Sequence, residues 1–390
     1  MRIIAVICEY NIFHNGHKSQ LEHIRSVYGE DSAVVAIMSG NFVQRGESAV
    51  VPKHERARLA LEYGADLVLE LPFPWSCSGA EYFARAGVWI AHSLGVVDVL
   101  CFGSETGNLD ILQNLRENIT SDKFKETLDS EFQSSVHTPE SNIKLRQRIY
   151  GSLFGSEYPI NPNDILAVEY LKAIKAFDSS IIPYTYKRTP GFSATSARKA
   201  FEEGNFKELA GLVPSAVYEA CKAQETPAKL KNAEAAILFG LRSLNVGSDI
   251  AECGGGGAEY LKKSALESAT LEDYFARAAT KKYTSAKIRR MTVNTLLSVT
   301  ASDVSELPEY TVLLAANKKG CKILSKLRRN TNGFSVITKS ADTRRFSEKA
   351  IAQFKVSNRA DALLYPLTLP YPASPKNLLT FSPFIEKSGE

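Results

Sequence analysis

An α/β fold built on a parallel sheet, followed by a mainly helical region, is what this 390-residue chain predicts. Three observations carry that reading. Five short apolar runs recur in the first two hundred residues, the composition of strands covered on both faces. Segments of helical spacing lie between them, and alternation of this kind indicates a parallel sheet with helices on each side. Beyond about Ser193 the strand pattern gives way to helical spacing.

The runs are "RIIAVIC", "AVVAIM", "ADLVLEL", "VVDVLCF" and "IIPYTYK". The intervening helices are "HKSQLEHIRSVYG", "KHERARLALEYG" and "SGAEYFARAGVWIAHSLG", each ending at a glycine, a common helix stop. Residues from about 106 to 160 are polar, with apolar positions at helical intervals, and predict a helical insertion before "NDILAVEYLKAIKAF". The first unit is therefore placed at 1–200. The second, 201–390, is expected to be mainly helical and basic. It carries a glycine-rich hinge at about 246–257, since four consecutive glycines have little preferred conformation. "GFSVITKS" predicts a returning strand or two, and the proline-rich "LLYPLTLPYPASPKNLL" an extended strap.

Composition narrows the classes. Hydrophobic content of 44% and charged content of 23% describe an ordinary globular protein. A net charge of +4 is too mild to indicate a polyanionic partner without knowing where the charge sits. The six cysteines are far apart, with no C-x-x-C pair, so neither a zinc site nor a disulfide framework is expected. Apolar settings for three of them, the lack of a leader-like stretch in "MRIIAVICEY" and the absence of any membrane-length apolar run predict a cytoplasmic protein.

In open parallel sheets ligands bind at the carboxyl ends of the strands. Glu9 to His17 occupy that place after the first strand, and Asn15 and Gly16 open the next helix, whose first N–H groups attract anions. His14 and His17 flank this opening. Two imidazole donors there suit an α-phosphate that gains charge during displacement. The plain alternative is a turn with an Asn N-cap and two partly exposed histidines, and spacing alone does not choose between them. In "KRTPGFSATSARKAF", Ser193, Thr195 and Ser196 suit a helix start, with Arg198 on its first turn. Hydroxyls, free amides and a guanidinium make a clamp for β- and γ-phosphates. An ordinary capped helix with a surface arginine is the other reading. "MSGNFVQRGE" puts Ser39, Gly40, Gln44 and Arg45 in a polar loop that is either a wall of the ligand site or a structural connection. Glu70 reads as a strand-end carboxylate with a structural partner.

"HNGH" resembles the H-x-G-H motif of the nucleotidylyltransferase superfamily, and "FSATSAR" its later S-S/T-x-x-R motif. Together with "MSGNFVQRGESAVVPKHERARLAL", "GADLVLELPFPWS", "CFGSE" and "NDILAVEYL", the chain resembles the bacterial tRNA(Met) cytidine acetate ligase family over its first two hundred residues. The similarity continues more weakly through "KKYTSAKIRRMTVNTLL". The family usually has proline where this chain has Ile12, which alters loop stiffness.

The resemblance implies a Rossmann-like five-stranded nucleotidylyltransferase domain. It implies activation of acetate by ATP as acetyl-adenylate, with Mg²⁺ on the phosphates, and acetyl transfer to N4 of the wobble cytidine of elongator tRNA-Met. Carried over by motif, His14 and His17 are catalytic. ATP contacts are expected from Ile7, Cys8, Glu9, Tyr10, Asn11, Ile12, Phe13, His14, Asn15, Gly16, His17, Lys18, Ser19 and Gln20, then Gly103, Asn163, Arg188, Thr195, Ser196 and Arg198. Gly103 is expected against the nucleotide, where a side chain would not fit. No carboxylate cluster has metal-ligand spacing, so the ion's ligands would be phosphate oxygens and water.

Two basic blocks are the expected RNA surface. One runs from Arg277 to Arg290 and includes Lys281, Lys282, Lys287, Arg289 and Arg290; the other, from Lys318 to Lys349, includes Lys318, Lys319, Arg328 and Arg329. Clustered cations are the electrostatic footprint of a phosphate-backbone reader. Tyr283 or Phe334 is the expected stacking platform for an unpaired base. Two rival readings are an adenylyltransferase for a small metabolite and a non-catalytic RNA-binding protein on a nucleotide fold.

Overall fold

The structure, a computed structural model, describes residues 1–134, 142–156, 158, 161–189, 191–245, 249–281, 283–330, 334–371, 374 and 382–386, without the side chains of 132–134, 142–143, 328–330, 340 and 345. All five expected strands form: β1 (Ile3–Cys8), β2 (Ala33–Ser39), β5 (Leu67–Leu71), β6 (Val99–Ser104) and β7 (Ile182–Lys187), with a small antiparallel hairpin of β3 (Phe42–Val43) and β4 (Glu47–Ser48) after β2. They pair in parallel in the order β5-β2-β1-β6-β7. Alternation across the pleat divides β1 and β2 between two cores. Ile3, Ala5, Ala33, Val35 and Ile37 face one side; Ile4, Val6, Val34, Ala36 and Met38 face the other.

The connecting helices are α1 (Asn15–Tyr28), α2 (Lys53–Glu62) and α3 (Ala80–Ser93). In the region expected to be an insertion lie α4 (Leu109–Thr120), α5 (Asp122–Ser134) and α6 (Asn142–Phe154), followed by α7 (Pro162–Ala176). Leu112, Leu115, Phe124, Leu145 and Ile149 pack these helices into the same core as α3 and α7. Then come α8 (Ala194–Glu202), α9 (Phe206–Leu212), α10 (Ser215–Gln224), α11 (Glu234–Arg242), α12 (Gly257–Leu266), α13 (Leu271–Ala278), α14 (Ser285–Leu296) and α15 (Ala301–Ser305). Of the expected hinge, residues 246–248 lie outside the described residues. Gly254 and Gly256 adopt φ of 57° and 79° in an exposed turn that opens α12, a conformation that favours glycine.

The sheet does not stop at the first unit. β8 (Tyr310–Ala316) returns antiparallel beside β5, and β9 (Ser335–Ile337) and β10 (Phe384–Ile385) pair with β8. α16 (Lys318–Asn330) packs on this edge so closely that a Cβ at Gly320 would lie 2.0 Å from the Asp66 carbonyl. The described part of the expected strap is helical instead. α17 (Glu348–Arg359) runs through one π-helical turn, Ala360–Leu364, into α18 (Tyr365–Thr368), which carries Pro366 in its first turn.

A buried knot fastens this helical region to the sheet. Lys53 Nζ lies 2.9 Å from Glu70 and 2.5 Å from Asp361, and Asn41 donates to Asp361 at 2.8 Å. Glu70 thus has the structural partner the sequence suggested. A third hydrophobic core joins Phe42 and Phe73 to Ile237, Met291 and Tyr365. Among the described residues, no helix is long and apolar enough to cross a membrane.

Candidate active site

The carboxyl end of β1 opens into a cavity of about 450 Å³, within the size range of small-molecule sites. The helix cap at its floor is His14, not Asn15 as the plain sequence reading had it. His14 Nδ1 accepts the Gly16 N–H at 3.0 Å, and His17 Nδ1 accepts the His14 N–H at 3.2 Å. This reciprocal box has imidazoles in the places where Ser and Glu usually stand. A nitrogen that accepts a backbone N–H carries no proton, so each neutral ring holds its proton on Nε2. Burial first, then the charges of Arg188 and Arg198, lowers the His14 pKa to about 4; burial, His14 and Arg188 lower that of His17. The rings stack with centroids 3.8 Å apart, and both line the cavity. The result is two neutral Nε2–H donors at a helix N-terminus where the His14, Gly16 and His17 N–H groups are already bonded within the cap. Gly16 is needed for the cap, because a Cβ there would sit 2.9 Å from the His14 ring.

A second helix start faces the same space. Ser193 caps α8 by accepting the Ser196 N–H at 3.1 Å. Arg198 is buried and donates to the Asn11 carbonyl at 2.5 Å and to the Thr195 hydroxyl at 3.3 Å, which ties α8 to the turn after β1. At the far end Glu105 organises the site. It accepts from Asn163 Nδ2 at 2.6 Å and from the Asp164 N–H at 3.0 Å, and lies 3.8 Å from Arg188. Gly103 lines the cavity here, but the room a Cβ would take is filled by Arg188 Cγ at 2.8 Å and the Tyr186 hydroxyl at 3.0 Å. These neighbours alone leave little room for a side chain at this position.

The family described as HIGH Nucleotidyl Transferase matches residues 1–372. A tRNA(Met) cytidine acetate ligase of Caldanaerobacter subterraneus is 34% identical, covering 87% of this chain and 89% of that protein. The Acetivibrio thermocellus protein of the same name is 32% identical, covering 85% and 87%. The chain belongs to the tRNA(Met) cytidine acetate ligase family. Among solved structures, Thermotoga maritima TmcAL bound with alpha-thio ATP superposes with a TM-score of 0.88 over 99% of both chains, at 26% identity. The same protein without ligand gives 0.89. Membership makes this chain a ligase on a nucleotidylyltransferase fold.

In this ligase the expected stretch after β1 divides by position. Ile7, Cys8, Glu9, Tyr10, Asn11, His14, Gly16, His17, Ser19 and Gln20 line the cavity. Ile12 and Phe13 are buried in the core under α1. Asn15 donates to the Gly211 carbonyl, and Lys18 pairs with Glu22 on the helix surface. Thr195 and Arg198 line the cavity, whereas the Ser196 hydroxyl is 3.0 Å from that of Ser193. Ser39, the last residue of β2, and Gly40 after it are buried and do not line the cavity, while Gln44 and Arg45 do.

Two groups escaped the sequence reading. Arg56 is buried and donates to the carbonyls of Val51, Glu9, Ser39 and Gly40, welding the ends of β1 and β2. Glu105 stood inside "CFGSE" with nothing in its spacing to reveal its partners.

The basic blocks are not one surface. Arg290 is largely buried, paired with Glu252 at 2.7 Å and donating to the Gln44 carbonyl at 3.2 Å. Arg289 lies 3.5 Å from Glu47 and over the Phe275 ring. Both tether the β3–β4 hairpin, and each guanidinium already has a carboxylate partner. Lys281 is exposed, Lys287 lies over Tyr283, and Lys282 is outside the described residues. Lys318 is exposed, but Lys319 donates to the Glu30 and Ser32 carbonyls, just before β2 at the amino end of the sheet. That is the end opposite the cavity. The side chains of Arg328 and Arg329 are outside the described set. Tyr283 and Phe334 are buried, so neither offers an open stacking face.

Proposed function

We propose that the protein activates acetate with ATP and transfers the acetyl group to N4 of the wobble cytidine of elongator tRNA-Met. The observation that carries this reading is the imidazole pair. Two neutral Nε2–H donors line the cavity within a motif shared by a family whose members are named for acetate and tRNA(Met). In the first step an acetate oxygen attacks the α-phosphorus of ATP. An O–P bond forms, the bond to the β-phosphate bridge breaks, and pyrophosphate leaves. His14 and His17 donate to the α-phosphate oxygens as they gain charge, and α8 with Thr195 and Arg198 receives the departing phosphates. Preorganised donors of this kind contribute most where charge develops. Asn163 and Arg188, held by Glu105, serve the nucleoside end. A Mg²⁺ ion carried by the nucleotide would offset phosphate charge, with phosphate oxygens and water as its ligands.

In the second step the cytidine N4 attacks the acetyl carbon. A C–N bond forms, the C–O bond to phosphate breaks, AMP leaves, and the N4 proton is lost to solvent. Positioning supplies most of the rate in such a scheme. Exposed Lys281 is the described cation beside α14 best suited to the RNA. The test is mass analysis of nucleosides from tRNA treated with protein, ATP and acetate. A 42-Da acetyl increment (about 42, from C₂H₂O) on one cytidine supports the reading. Pyrophosphate release only with a small metabolite overturns it in favour of a metabolite adenylyltransferase.

A further inference from the structure

The β3–β4 hairpin is held far more firmly than a surface loop requires. The Gln44 N–H donates to Glu9 Oε1 at 2.8 Å, and its carbonyl receives Arg290. Glu47 is held by Arg289. Gly46 adopts φ of 74°, and a Cβ there would lie 2.4 Å from the Arg290 nitrogen, so the turn rests directly on the middle of α14. Residues 44, 46 and 47 are thus all fixed. Between them stands Arg45, whose side chain lines the cavity and whose guanidinium has no hydrogen bond or ion pair among the described residues.

The other cavity arginines are already engaged. Arg198 is bonded to Asn11 and Thr195, and Arg188 stands against Glu105 at the far end. The residue before Arg45 is bonded to Glu9 just after β1, and Arg45 lines the same cavity as the imidazole pair and Thr195. A small carboxylate that must approach an anionic phosphate needs its own charge offset at this place, and a guanidinium fork matches a carboxylate in two parallel bonds. Ile7, Phe83 and Tyr170 line the same cavity and give a methyl group apolar neighbours. We propose that Arg45, presented by the pinned hairpin, receives the carboxylate of acetate and holds it for attack on the α-phosphorus. The inference rests on the acetate-activation reading above. It also assigns the helical region a part in the first step, because Arg289 and Arg290 of α14 fix the backbone that carries Arg45.

The test is acetate-dependent exchange of labelled pyrophosphate into ATP, with ATP affinity measured separately by calorimetry without acetate. Arg45→Ala should raise the acetate KM at least tenfold, and Arg45→Lys should recover part of the loss. ATP affinity and the KM for tRNA should stay within twofold. Because Arg45 is exposed, both variants should melt with the wild type. An unchanged acetate KM overturns the assignment, as does a rise confined to the tRNA KM, which would give Arg45 to the RNA. Wild-type protein that exchanges no pyrophosphate with acetate would instead overturn the function on which the inference stands.

Discussion

Replacing His14 by asparagine separates the two tasks this ring performs. Its Nδ1 caps α1, and its Nε2–H faces the cavity. Asparagine is among the best N-cap residues, so its side-chain oxygen should keep the Gly16 N–H satisfied. Its shorter amide stops short of the place Nε2 occupies. His14→Asn should therefore keep the melting temperature while acetate-dependent pyrophosphate exchange falls by about 10²–10³, the usual cost of one oxyanion donor. His14→Ala loses the cap as well and should destabilise by a further 0.5–2 kcal/mol (about 1, from cap substitutions). The acid limb provides an independent reading. The folded pKa of about 4 lies below the ordinary 6.5, so the unfolded chain binds the proton more readily. The His14 contribution to stability is whole above pH 6.5 and is lost as pH falls toward 4, by roughly 1.4 kcal/mol per unit. His14→Asn removes that slope, which thermal melts from pH 7 to pH 4.5 (roughly the window those pKa values bound) will detect. Near-wild-type exchange in His14→Asn, or activity that falls only in step with melting, would refute the donor role.

Three further outcomes follow from the geometry. Lys53→Met leaves Glu70 and Asp361 buried without their cation and should cost about 3–5 kcal/mol in urea unfolding. Burial already raises the Glu70 carboxyl, and losing the Lys53 charge raises it further, so the variant should regain more stability than the parent as pH falls from 7 to 5 (about two units, from ordinary carboxylate values). Glu105→Ala frees Asn163 and Arg188 together and should weaken ATP binding by calorimetry at least tenfold (about 1.4 kcal/mol) with little change in melting temperature. Lys281→Glu should lower tRNA affinity and reduce the salt slope of binding by about one, whereas Arg290→Glu should chiefly destabilise the fold.

The five parallel strands were legible because continuous apolar runs of that length have few other uses in a chain of this kind. The two helix starts were legible from residue type, since histidine, glycine and serine at a strand end change what backbone amides can bind. β8 was not. "YTVLLAA" lies between helical segments, and nothing local says that it returns antiparallel to β5. The arginines show the same limit. Arg289, Arg290 and Arg198 look alike in sequence, and only the fold shows the first two gripping a hairpin and the third a turn. Lys53, Glu70 and Asp361 are up to 308 residues apart, so their union was invisible to any reading by spacing.

The most direct measurement is a crystal structure of this protein with a non-hydrolysable ATP analogue. Both imidazole Nε2 atoms should stand about 2.7–3.2 Å from oxygens of the α-phosphate, with their Nδ1 atoms still holding the α1 cap. A nucleotide whose α-phosphate lies beyond the reach of both rings would contradict the account.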